Sequence, residues 1–134
     1  MQNLDQLRAT HALNWENSCN PEGAKPSMTK ADVAKLPAMI LTNGLLGALA
    51  FAAESGKDKR AGLKLAVTGI ARHLAQPAVG MPELAGLTTP EALATKLAAG
   101  EARTLQRATT EGLAYLSYLR RFVPKKDDGE SVAG

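Results

Sequence analysis

Between Leu36 and Ala53 the chain reads LPAMILTNGLLGALAFAA, with Thr42 and Asn43 the only polar side chains in its interior. A helix that is apolar on every side has to be wrapped by other elements. The segment is therefore expected to form a central helix, running to about Glu54, that the rest of the chain buries. Pro37 lacks a backbone donor and disfavours helix at Leu36, which predicts a kink or break there. Gly44 costs about 1 kcal/mol relative to alanine inside a helix, and a buried Asn43 needs a hydrogen-bond partner. The commoner reading is that Gly44 and Gly47 allow close helix packing while Asn43 bonds a neighbouring backbone. The other is that Asn43 fixes a loop or a partner chain. The stretch also reaches the lower limit for a membrane span, roughly 17 residues. Pro37, Asn43, the glycines and the alanine filling suit burial in protein instead, so no membrane association is expected.

The remaining pattern predicts helices that surround this one. Leu4, Leu7, His11 and Trp15 fall on one face of a first helix from Asn3 to about Asn17. His11 reads as a hydrogen-bonded histidine at the core edge, because no second histidine or carboxylate stands at metal-ligand spacing. Arg8 lies beside the stripe, where its stem can cover apolar surface while its guanidinium meets an acidic group. Ser18 to Ser27 is a loop by its prolines and glycine, and Thr29 with Asp32 caps a second helix from about Lys30. After Ser55 and Gly56, Lys57-Asp58 opens a helix to about Ala75, with Leu63, Ala66, Val67, Ile70 and Leu74 as its apolar stripe. Lys57, Arg60 and Lys64 cluster along one flank. Such a trio is usually a solvated face, but without an interleaved acid it can also follow phosphates.

Gln76 to Leu87 is irregular, broken by two prolines and two glycines. Thr89 and Pro90 start a short helix anchored by Leu93 and Leu97 and ended by Gly100. The last helix runs from Glu101 to about Val123, where Pro124 stops it. Leu105, Ala108, Gly112, Leu116, Leu119 and Val123 form its dry side, Arg103, Arg107 and Arg121 project oppositely, and Tyr118 sits on the rim. Arg103 to Arg121 spans about 27 Å at 1.5 Å per residue. The tail from 124 to 134 mixes charges and small residues and is expected to be disordered.

These elements make one all-α domain over residues 1–123, a bundle of five to six helices. Composition agrees, with 45% hydrophobic and 22% charged residues and few aromatics. Cys19 is the only cysteine, which leaves no internal disulfide and no cysteine-based metal cluster. Asp5, Arg8 and Glu16 interrupt the N-terminal stretch, so no signal peptide is expected and the cytoplasm is the default compartment. The net charge of +3 and a pI near 9.2 permit a polyanionic partner without demanding one. Neither a nucleotide-binding loop nor a GxSxG elbow is present. Glu54, Glu101 and Glu111 read as helix-end or charged-face acids, and His11 and His73 lie far apart in the sequence. No catalytic residue, metal or cofactor is expected; converging acids or a histidine pair in a pocket would be the structural sign of an enzyme.

Three stretches, LDQLRATHAL (Leu4 to Leu13), LPAMILTNGLLGALAF (Leu36 to Phe51) and EGLAYLSYLRRF (Glu111 to Phe122), resemble the small subunit of the type III-B CRISPR-Cas effector, the Cmr complex. The matching pieces are Arg8-Ala9, Leu36-Pro37, Asn43-Gly44-Leu45, Ala48-Leu49-Ala50-Phe51 and the tyrosine-bearing helix with its basic end. They cover roughly half the chain in the family's order and spacing, and the Leu-Pro to Asn-Gly-Leu element is the most specific; Gln76 to Gly100 matches poorly. The resemblance implies an all-helical, non-catalytic protein whose copies stack head to tail beside the backbone filament holding the guide RNA. Cleavage would belong to other subunits, and sequence specificity to base pairing.

On that footing the partners are guide RNA, target RNA, the backbone and large subunits, and neighbouring copies. The residues expected at RNA phosphates are Arg103, Arg107, Arg120 and Arg121, then Lys35, Lys57, Arg60 and Lys64. Arg8 is carried over from the start motif, its role open between RNA and subunit contact. Pro37, Asn43 and Gly44 are structural. The competing reading is a helical adaptor that binds only protein, its basic residues being ordinary solvated faces.

Overall fold

The computed structural model describes residues 2–54 and 61–125, and among them all regular structure is helical. The elements are α1 (Leu4–Cys19), α2 (Lys30–Ala34), α3 (Leu36–Ala53), α4 (Ala61–Leu74), two 3-10 turns (Pro77–Val79 and Pro82–Leu84), α5 (Pro90–Ala99) and α6 (Ala102–Phe122). The expected all-α bundle is therefore what forms. Lys57, Arg60 and the chain beyond Lys125 lie outside the described residues.

Local chemistry sets the helix ends. Asn3 Oδ1 accepts from the Gln6 N–H and Gln6 Oε1 from the Asn3 N–H, both at 2.8 Å, a reciprocal cap that starts α1. The helix continues to Cys19, two residues past the expected end. The Asn20 side chain then organises the loop: its Oδ1 accepts from Ser27 and Met28, and its Nδ2 donates to the Met28 carbonyl at 2.7 Å. Those bonds turn Met28 into the core. Asp32 accepts from the Thr29 N–H and hydroxyl, as the Thr-to-Asp spacing implied. The Lys30 N–H donates to the Pro124 carbonyl at 2.7 Å and Lys30 Nζ to the Arg120 carbonyl at 2.6 Å, so α2 is latched onto the end of α6.

The break expected near Pro37 falls at Lys35, with Pro37 in the first turn of α3. Two expectations about α3 need correcting. First, it is not wrapped. Leu36, Ile40, Leu45, Ala48, Leu49 and Ala52 are buried, but Leu41 is 76% exposed and Thr42, Asn43, Gly44 and Ala50 face solvent. Second, Gly44 does not serve close packing. It adopts φ 80°, ψ 162°, a region essentially reserved for glycine, and breaks the helix in its middle. A Cβ there would meet nothing within 4 Å, so the backbone angle alone requires glycine. Asn43, on the outer side of that break, is exposed and needs no internal partner.

The buried axis is α4. Gly62, Leu63, Ala66, Val67, Gly69, Ile70, Ala71, His73 and Leu74 are all buried, and the helix packs against each of the other five. Small residues on α4 set the approach of its neighbours. A Cβ on Gly69 would lie 2.5 Å from Trp15 Cδ1 and 2.7 Å from Tyr115 Oη, so α1, α4 and α6 converge at a point where a side chain has no room. Trp15 Nε1 donates to the Leu65 carbonyl at 2.8 Å, fixing α1 on α4.

Candidate functional site

Helix α6 divides as its sequence pattern requires. Ala108, Gly112, Tyr115, Leu116 and Leu119 are buried, while Arg103, Arg107, Arg120 and Arg121 are exposed. Positions 103, 107, 110, 114, 117 and 121 recur at helical spacing along one line, with Arg120 about 100° off it. Between the two arginine ends the line carries only Thr110, Ala114 and Ser117, small side chains that let an extended polymer lie close to the helix. No carboxylate of the described residues pairs with these arginines; Arg107 Nη2 donates at 3.3 Å to the Gly80 carbonyl.

The other expected cations are dispersed. Lys35 is exposed at the α2–α3 break. Lys64 is partly exposed, with Nζ 3.5 Å from Glu91 Oε2 of α5. Its flank therefore does hold an acid, contributed by a helix that inspection of its own segment could not supply. Lys57 and Arg60 are among the residues not described.

Arg8 does meet an acidic group. Its Nε and Nη2 both donate to Glu111, at 2.8 Å to Oε2 and 2.8 Å to Oε1, and Nη1 donates to Asp5 Oδ1 at 2.7 Å. Glu111 was expected on a charged face and is instead 7% exposed. The same Oε2 bonds His73 Nε2 at 2.8 Å, and His73 Nδ1 stands 2.7 Å from His11 Nδ1. His73 stacks on Tyr115, ring centroids 4.7 Å apart, and meets His11 edge-on. Residues separated by most of the chain thus form one line, Arg8 to Glu111 to His73 to His11, joining α1, α6 and α4. The histidine pair was not expected.

The electrostatics of the line are self-consistent. Burial pushes His73 below the ordinary histidine value, only partly opposed by its bond to Glu111, and burial likewise lowers His11. Burial works against the Glu111 charge, but hydrogen bonds from Arg8 and His73 outweigh it and hold the carboxyl below its usual value. The hydrogen bond to Glu111 raises Arg8 further, against desolvation. With both rings neutral, every bond is satisfied if His73 Nε2–H donates to Glu111 and His11 Nδ1–H donates to His73 Nδ1. Cys19, half-buried, has its thiol pushed up to about 11, chiefly by burial and secondarily by Glu16, and is a resting thiol rather than a nucleophile.

Beside this line lies a pocket of about 100 Å³ bounded by α1, α4 and α6. No group of three or more metal-ligating side chains occurs among the described residues.

A family model described as CRISPR-associated protein (Cas_Cmr5) matches residues 4–125. The chain belongs to this family, that of the small subunit of the type III-B Cmr complex. The match runs through 76–100, the stretch expected to resemble the family poorly. No curated protein and no solved structure matches the chain. Membership makes the chain a component of a CRISPR effector alongside other Cmr subunits. Within this Cmr protein, Glu111, His73 and Tyr115 are the residues that sequence reasoning missed. Their signal was positional: Glu111 and Tyr115 stand in the 108–112–116–119 stripe of α6, and His73 beside Ile70 and Leu74 in that of α4.

Proposed function

We propose that this Cmr small subunit is a non-catalytic, cytoplasmic RNA-contacting element. Arg103, Arg107 and Arg121, with Arg120 at their side, neutralise phosphates of guide or target RNA, and copies stack along the effector. The observation that carries the reading is the arginine line of α6: cations at both ends, small side chains between, and no carboxylate of the described residues spent on them. Contacts of this kind are to phosphate and not to base edges, which suits a complex whose guide sequence varies. His11 and His73 do line the pocket, the arrangement named above as the sign of an enzyme, but their bonding argues against catalysis. Both nitrogens of His73 are committed, and the one carboxylate nearby is held by Arg8.

The test is charge reversal. Replacing Arg103, Arg107 and Arg121 by Glu in the reconstituted complex is expected to weaken target-RNA retention and flatten its salt dependence, by about 0.7 in log–log slope per lost phosphate contact on single strands. Retention equal to wild type, with the complex intact, overturns the phosphate reading. It would favour the protein-only adaptor, for which the exposed Leu41 on α3 is the supporting observation.

A further inference from the structure

Gly44 holds a conformation open essentially to glycine alone, φ 80° and ψ 162°, yet nothing stands within 4 Å of its Cβ position to demand it. A strained residue that packing does not require calls for a role at the surface. The break opens onto a groove between α3 and the first half of α6, whose lining includes Asn43, Leu45, Leu46, Leu105, Gln106 and Thr110. Asn43, Gly44, Gln106 and Thr110 are all exposed, so a ligand can reach them.

No residue lining the groove is charged. The leucines supply apolar surface, and the side-chain amides of Asn43 on α3 and Gln106 on α6 supply donors and acceptors from both helices. Neither amide hydrogen-bonds another of the described residues. The groove is continuous with the arginine line: Thr110 belongs to both, and Gln106 stands one turn from Arg103 and next to Arg107. Cations without a carboxylate partner among the described residues thus flank an uncharged groove of mixed apolar and amide lining. A nucleotide divides in the same way, into a charged phosphodiester and an uncharged base with apolar faces and donor–acceptor edges. A wholly apolar segment of a partner protein would fill the groove but leave those cations unmatched.

We propose that the groove at the α3 break accepts one base of a single RNA strand whose phosphates lie on Arg103 and Arg107. The proposal rests on the phosphate reading of α6 and adds the base to it. An amide presents both a donor and an acceptor and turns to suit any base edge, so the groove takes a base without reading its identity.

The experiment titrates the full-length protein with a ten-nucleotide oligouridylate and with an abasic oligomer of the same length and backbone charge. NMR follows the side-chain amides of Asn43 and Gln106 for the groove and the Nε–H groups of Arg103 and Arg107 for the line. Oligouridylate is expected to shift both sets and the abasic oligomer only the arginines. The base should add about tenfold in affinity, as two hydrogen bonds at the weak end of their range give. Oligoadenylate should shift the same amides. Asn43→Ala with Gln106→Ala, both at exposed positions, should bring oligouridylate down to the abasic affinity and leave its salt slope unchanged, because the phosphate contacts remain. Arginine shifts with silent amides, or equal affinity for the two oligomers, overturn the base site and leave the phosphate reading standing. Amide shifts with silent arginines keep the base site and overturn the phosphate reading. No shift with either oligomer overturns both. Hydrogen-exchange protection of residues 43–47 in the reconstituted complex, with the amides silent to RNA, assigns the groove to a partner subunit and overturns the base site.

Discussion

Replacing Arg8 by Met tests the buried network most directly. The Glu111 side chain is only 8% exposed and the Arg8 side chain 19%. Three hydrogen bonds reach the carboxylate, two from Arg8 and one from His73. Arg8→Met removes two of them and leaves a buried carboxylate facing a neutral imidazole. Breaking a buried pair costs about 3–5 kcal/mol, and the partial exposure of Arg8 argues for the lower end, about 3 kcal/mol. For a chain of this size that corresponds to a fall of about 10–15 °C in Tm. Urea unfolding at pH 7.5, followed by far-UV circular dichroism, measures it, with the slope m checked for constancy. Without Arg8, burial dominates at Glu111 and raises its pKa in the folded state. The folded variant then binds more protons than its unfolded chain, so its deficit should shrink as the pH is lowered. Arg8→Met with Glu111→Met should recover most of the loss, giving a coupling energy of about 2 kcal/mol or more. A single-variant loss below about 0.5 kcal/mol, or strictly additive losses, refutes the reasoning, since exposed pairs are worth no more than that.

Gly69→Ala should cost about 2–3 kcal/mol, because its methyl group would meet Trp15 and Tyr115 at 2.5–2.7 Å; a neutral result in thermal unfolding contradicts the three-helix convergence. Gly44→Ala should cost about 1–3 kcal/mol through its backbone angle alone, and a gain in urea midpoint would mean that the break in α3 is dispensable. Stability should also fall on acidification. His11 and His73 have folded pKa values below the ordinary 6.5, so below about pH 6.5 the unfolded chain binds more protons and stability is lost towards their folded values. Glu111, lowered from 4.5, adds a loss of the same sign at still lower pH; a Tm that stays flat from pH 7.5 to 4 would contradict the histidine contribution, and one that stays flat on further acidification below pH 4 the Glu111 contribution.

The helix inventory was legible because periodicity and capping report local structure: Thr29 with Asp32, Thr89 with Pro90, and Pro124 all act as expected. The choice of central helix was not. The apolar content of α3 says how much surface could be buried, but only the partners decide which surface is, and α3 leaves Leu41 in water. Helix α4, less apolar overall, is the axis because a stripe flanked by Gly62 and Gly69 admits neighbours on several sides. Glu111 was misassigned because its charge was weighed above its place in the stripe of α6. The meeting of His11 with His73 depends on how α1 crosses α4, which spacing along the chain does not encode.

The network also bears on where the arginines of α6 point. An apolar face built of Ala108, Leu116 and Leu119 gains its energy without direction, so by itself it tolerates small rotations and slides of the helix. The bonds of Glu111 to Arg8 on α1 and His73 on α4 are directional at 2.8 Å, and a one-residue turn of α6 would break all three. The polar line therefore sets the rotation of α6, and with it the aim of Arg103, Arg107 and Arg121. This account separates stability from order. The Arg8→Met/Glu111→Met double variant should approach wild-type stability while its α6 amides exchange with deuterium measurably faster, through openings short of global unfolding. Equal protection of α6 at equal stability would assign the aim of the arginines to apolar packing alone.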